Sequence, residues 1–280
     1  MSERAGPSIG DSLREYARGI AGGLMFSLPL LYTMEVWWTG FTAGPLRLLL
    51  YVAITFVLLL GYNFYAGLHP DASWAQVFID SIEELGIGLA VSAGILFLIG
   101  RISLEMNADE IVGKSVVEAM TVAIGMSVGK AQLGVQAQDE TPASDSRQQH
   151  PQFGGQLMIA ACGGLLFAAN IAPTQEVVVI ANAISVPQLL GLMALSLFLS
   201  ALILYYIEFT GSDRFVRRSG LLSILIGTVS SYAVALLVAA ATLWFFGRFD
   251  ETSLITALSE TIVLGFVTSL GASAGRLLVQ

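Results

Sequence analysis

The chain has one cysteine, two histidines and only 12% charged residues in 280, against about 25% charged in soluble domains. The lone Cys162 cannot close an intrachain disulfide, and its small apolar neighbours make it a structural thiol that says nothing of redox compartment. His69 and His150 both lie in polar connecting stretches, so no helix supplies an imidazole base. GMSVG (125–129) and GASAG (271–275) fit the nucleophile pattern G-x-S-x-G, but that chemistry needs a strand–turn–helix elbow and a histidine, and neither is at hand. There is no H-E-x-x-H, phosphate-binding glycine loop, haem ligand pair or mid-span lysine in a retinal-like setting. These absences point away from an enzyme and from a bound cofactor. With 13 basic against 21 acidic residues the net charge is −8, and no basic run exists to meet a phosphate backbone, which excludes nucleic acid as a partner.

What the chain does have is apolar length: 55% of it is hydrophobic and the mean hydropathy is +0.74. A hydrocarbon core about 30 Å thick takes about 20 apolar residues per helix. Eight such spans are expected, at 18–38, 46–67, 75–100, 109–132, 156–178, 187–209, 219–246 and 254–278, with the fourth and eighth the least apolar. The fold class is thus an all-α polytopic membrane protein. Residues 1–17 carry mixed charge, and the first span lacks the small-residue cleavage site of a signal peptide, so it is expected to stay. An N-in, C-in topology puts nine basic residues on the cytoplasmic side and four outside, in the sense of the positive-inside rule.

The spans repeat. GGLMFSLPLLYTMEV (22–36) and GGLLFAANIAPTQEV (163–177) match at seven of fifteen positions with an offset of 141. Further matches follow in order: Pro45 with Pro187, LGYNFYAG (60–67) with LYYIEFTG (204–211), FLIGRI (97–102) with WFFGRF (244–249), and GMSVGK (125–130) with GASAGR (271–276). Collinearity of this kind marks a duplication. The expected organisation is a cytoplasmic segment 1–17, a four-helix repeat 18–134, a polar linker 135–153 and a second four-helix repeat 154–280. An even number of spans per unit makes the repeats parallel, about an axis near the membrane normal.

Intramembrane acids cost about 2.5–3.5 kcal/mol each at a helix centre on insertion scales, and are functional candidates for that reason. On this topology Glu35 and Glu176 fall near the outer ends of the first and fifth helices, and Glu118 and Glu260 in the outer halves of the fourth and eighth. Gly125 and Gly129 lie within about 20° of Glu118 around the helix. Two readings stand. The stripe is a close helix-packing face, or it is part of a polar ion path lined by Glu118, Glu260, Ser127, Ser269 and Ser273, with Glu35 and Glu176 at the mouth. Glu35 and Glu176 could equally sit at headgroup level. Asp80, Glu83 and Glu84 share one helix face near the cytoplasmic end, as a cation or proton cluster or as an interfacial face paired with Arg217 or Arg218. Pro29 and Pro173, at unaligned positions, each kink or break a helix.

The segment FSLPLLYTMEVWW (26–38), in a chain of this length and span count, resembles a bacterial family of integral membrane proteins of unknown function. The resemblance implies a multi-span inner-membrane protein and supplies no activity, substrate or site residues. Glutamate-bearing repeats also resemble cation exchangers, at the level of architecture alone and without their signature sequences. The expected function is a cation channel or cation/proton exchanger using these carboxylates; the rival is a non-transporting membrane subunit or sensor whose acids serve packing and interfaces. Expected partners are the lipid bilayer and a cation or proton, with a homo-oligomer left open.

Overall fold

A computed structural model of the chain describes residues 9–67, 73–138, 153–206 and 221–278. His69, His150, Arg217 and Arg218 lie outside the described residues. Ten helices follow one another: α1 (Ile9–Leu31), α2 (Met34–Thr42), α3 (Pro45–Ala66), α4 (Trp74–Leu98), α5 (Ala108–Gln138), α6 (Phe153–Ile171), α7 (Gln175–Ala183), α8 (Val186–Tyr206), α9 (Leu221–Phe245) and α10 (Leu254–Leu278). Seven of them, α3, α4, α5, α6, α8, α9 and α10, are long and apolar enough to cross a membrane, and α1 with α2 makes an eighth if counted as one bent span. This is a polytopic all-α membrane protein.

The first span is not the straight helix expected over 18–38. It stops at Leu31, and α2 leaves at 88° to it. Pro29, inside the last turn of α1, has no N–H to give the preceding turn. The chain tightens there, with Tyr32 N bonded to Pro29 O and Thr33 N to Leu30 O, and Thr33 turns extended as the N-cap of α2. The fifth span likewise ends at Ile171 rather than 178. Here Pro173 follows the helix, and a proline disfavours helical geometry in the residue before it. Thr174 is again an extended N-cap, and its hydroxyl donates to Ile171 O at 2.8 Å. Two prolines at different positions therefore produce breaks 141 residues apart, each followed by a nine-residue helix. At its far end α5 continues to Gln138, into the stretch read as linker.

Two helices organise the packing. α5 lies against α1, α2, α3, α4 and α6, and α10 against α6, α7, α8 and α9. Between lipid-dissolved helices the hydrophobic effect gives little drive, so close van der Waals approach must hold them. Glycines provide it where α1 crosses α5: a Cβ on Gly22 would stand 2.5 Å from the Cα of Gly129 and 3.0 Å from the carbonyl of Gly125. Where α6 crosses α10, a Cβ on Gly271 would stand 2.6 Å from the carbonyl of Gly163. Large apolar side chains such as Leu49, Val57, Leu190, Phe198 and Leu237 point outward, as a lipid-facing perimeter requires.

Replacing Gly22 by alanine should therefore force α1 off α5 and destabilise the protein by about 1–3 kcal/mol. Gly94→Ala, where an added Cβ meets nothing within 4 Å, should be neutral or stabilising by up to about 1 kcal/mol. Thermal unfolding of both variants in one detergent measures the difference; equal midpoints would contradict this account of the packing.

Candidate functional site

The crossing of α1 and α5 fixes where Glu118 sits. With Gly22 on Gly129 and Gly23 on Val122, the helices run antiparallel, and Glu118 comes level with the last turn of α1. It is fully buried, and neither carboxylate oxygen has a hydrogen-bond partner. Leu30, Val36, Tyr51, Val117, Met120 and Phe245 form the core around it. Glu260 is placed in the same way by α6 on α10, level with the break at residues 172–174, and it too is buried. The glycine stripe on α5 is thus filled by α1, and Gly125 and Gly129 line a helix contact.

The two glutamates differ in their neighbours. The helix turns after α4 and α9 share one form: Gly100 and Gly247 take φ of +72° and +73°, and the next residue bonds back five positions, Arg101 N to Leu96 O and Arg248 N to Leu243 O. Such turns favour glycine, which carries no Cβ to clash. The arginines then part. Arg248 donates from Nε to Ala172 O at 3.3 Å and from its Nη2 to Pro173 O, so it caps the broken end of α6. Its guanidinium is half-buried; desolvation lowers its pKa, and the fields of Glu35, Glu260 and Glu176 oppose this. Arg101 instead lies over the Trp37 ring at 4.8 Å. Trp37 itself caps the broken end of α1, donating from Nε1 to Leu31 O at 3.1 Å.

Glu35 and Glu176 fall in the first turns of α2 and α7, past the breaks, and not at the ends of the long helices. Glu35 is half-buried and Glu176 exposed. Near them Arg47 and Asp250 form a two-pronged pair, Nη1 to Oδ2 at 2.8 Å and Nη2 to Oδ1 at 2.6 Å. The Arg47 guanidinium holds the Asp250 carboxyl below its ordinary value.

At the other end of α5 lies a network that the sequence hinted at only through Ser127 and Glu84. Asn63 Nδ2 donates to Glu84 Oε2 at 2.9 Å and to Ser81 Oγ at 3.1 Å, and Ser127 Oγ donates to Asn63 Oδ1 at 2.5 Å. Lys130 Nζ stands 3.5 Å from Glu84 and 3.7 Å from Glu15. Glu84 and Lys130 are both buried, so their charges depend on each other. The face Asp80, Glu83 and Glu84 is divided: Glu83 accepts from the Tyr16 hydroxyl, Glu84 turns into the network, and Asp80 stays half-buried. No group of three or more His, Cys, Asp or Glu side chains able to hold a metal ion occurs among the described residues.

Residues 15–279 match the family described as "Putative integral membrane protein (DUF2391)". The chain belongs to that family. No curated protein and no solved structure matches it. In this DUF2391 chain α10 carries different chemistry at the residues whose sequence, GASAGR, matches GMSVGK of α5. Arg276 replaces the ammonium, donating to Gly227 O at 3.0 Å and Gln156 Oε1 at 2.7 Å. Ser269 donates to Phe266 O at 2.7 Å, and the Ser273 hydroxyl is buried without a partner. Among the described residues, the buried Glu84–Lys130 pair has no counterpart beside Arg276. The signals that could have pointed to it are the polar Asn63 inside an apolar span and the spacing of three between Ser127 and Lys130.

Lys130→Met should leave Glu84 buried beside a lost charge and cost about 3–5 kcal/mol, whereas adding Glu84→Gln should restore most of that stability. A double-mutant cycle on unfolding midpoints checks the pair; additive single effects would mean the two side chains do not depend on each other.

Proposed function

We propose that the protein moves a small cation or a proton across the membrane, with Glu118 as the group that binds it. The observation that carries this reading is the pair of unpartnered, fully buried oxygens of Glu118. A carboxylate in hydrocarbon cannot remain bare, so a proton or a cation must meet it, and side chains of this kind in spans mark ion or proton pathways by default. Glu260, facing Arg248, serves as a permanently compensated counterpart. Glu35 and Glu176 share that arginine and form an acidic approach.

The duplication belongs to the same proposal. It is supported by nine-residue helices 141 positions apart, by the matching glycine turns, and by Arg248 meeting both Glu35 and Glu176, which brings the ends of α1 and α6 to one side as parallel repeats require. The protein is further read as a bacterial inner-membrane protein with both termini cytoplasmic, and as no enzyme.

A second reading has its own observation. The core around Glu118 is closely packed with Leu30, Val36 and Phe245, as suits a non-transporting subunit that stores a neutral acid. Flux separates the two. Purified protein in liposomes, under gradients of Na⁺, K⁺, Ca²⁺ and H⁺, should pass one of them; Glu118→Gln should reduce that flux to the protein-free background, and Glu260→Gln should leave a measurable part. Equal flux in wild type and the double variant would end the proposal.

A further inference from the structure

Buried serines and threonines in membrane helices commonly return their proton to a carbonyl one turn back. Many do so here: Ser27 to Gly23 O, Ser81 to Val77 O, Ser115 to Ile111 O, Thr242 to Val238 O and Thr268 to Leu264 O. Thr55 and Thr121 do not. Both are fully buried, and both hydroxyls are without a partner. The Tyr51 hydroxyl, also buried and without a well-formed hydrogen bond, faces Thr121 and Glu118.

These groups share a seam. Tyr51, Thr55, Leu59, Tyr62 and Asn63 are the buried residues of α3, and their spacings of four, four, three and one put them on one helix face. That face runs along α5 in the same direction, from Tyr51 facing Thr121 to Asn63 bonded to Ser127. It leads from the bare oxygens of Glu118, past the unpaired hydroxyls of Thr121, Tyr51 and Thr55, to the network of Asn63, Glu84 and Lys130. Four neighbouring side chains with unspent hydrogen-bonding capacity, in one seam of a hydrocarbon-embedded protein, would each cost about 1–3 kcal/mol if left so.

We propose that the α3–α5 seam binds a file of water molecules that joins Glu118 to the Asn63–Glu84–Lys130 network. Hydroxyls suit water because each both donates and accepts, whereas a metal ion needs acceptors on all sides. A single carboxylate with three hydroxyls lacks the charge for a divalent cation, whose sites draw on several carboxylates and carbonyls. Apolar cavities stay dry, while a bound water takes two to four polar partners, which this seam supplies. The file deepens the transport reading of Glu118: the transferred species would be a proton, passed from water to the Glu118 carboxyl by making one O–H bond as another breaks. Its existence, however, can be tested without any transport.

Millisecond X-ray hydroxyl-radical labelling in H₂¹⁸O oxidises side chains that adjoin water. Tyr51, though buried, should label at a rate close to that of the exposed Tyr32, and Leu166, in the buried core cluster built on α6, should stay silent. The double variant Thr55→Val, Thr121→Val keeps shape and removes two hydroxyls; Tyr51 labelling should fall about tenfold as the seam dries. Wild-type Tyr51 as silent as Leu166 would overturn the file, and so would labelling unchanged in the double variant. Proton flux in the same preparations distinguishes the two proposals. Labelling without Glu118-dependent flux keeps the water and removes transport, whereas flux through a dry seam keeps transport and removes the file.

Discussion

The architecture depends on glycine meeting glycine across the first and last long helices of each half. Lipid is as apolar as leucine, so only surfaces that approach closely gain by association. Gly22 on Gly129 and Gly163 on Gly271 bring backbones together, and each contact fixes the register of its pair. Register sets Glu118 and Glu260 level with the two helix breaks. A shift of α5 by one turn would move Glu118 about 5.4 Å along the axis, away from Tyr51 and toward the end of the helix.

The breaks gain their meaning from the same arrangement. A helix that stops inside a membrane leaves carbonyls that must find donors. Leu31 O is met by the Trp37 indole and Ala172 O by the Arg248 guanidinium. One donor is neutral and the other charged, so the protein satisfies two equivalent backbone needs with opposite consequences for the nearby glutamate. The far end mirrors this in reverse, with a buried ion pair in the first half and an arginine held by a carbonyl and an amide in the second. Among the described residues, charge is thus distributed unevenly between α1–α5 and α6–α10.

Much of this was legible in the sequence, and the limits have physical causes. Apolar length revealed the spans because a bilayer sets their minimum, and G-x-x-x-G spacing revealed a packing face. The breaks were visible as prolines but not as stops, nor was the right-angle turn between α1 and α2, because a proline removes one hydrogen bond and the rest of the helix end decides between a kink and a stop. Glu118 and Glu260 stood out as acids in apolar surroundings. Their difference did not, since it rests on where Arg101 and Arg248 point, and both follow the same glycine turn. Asp80, Glu83 and Glu84 read as one face because periodicity gives direction around a helix, whereas Glu83 is taken by Tyr16 of α1 and Glu84 by Asn63 of α3 and Lys130 of α5.

That difference between the glutamates can be traced to one position. Arg101 and Arg248 leave matching turns with the same reach, so the turn cannot explain why only Arg248 enters a break. The residue that caps the first break is Trp37, and 141 positions later stands Val178, which has no donor to offer. Where valine leaves the carbonyls open, the arginine occupies them and its charge comes to rest among Glu35, Glu176 and Glu260. Where tryptophan closes them, Arg101 lies over its ring, and the Glu118 oxygens are left without a partner. A single aromatic side chain thereby separates a glutamate that feels an arginine from one whose carboxylate oxygens have no partner.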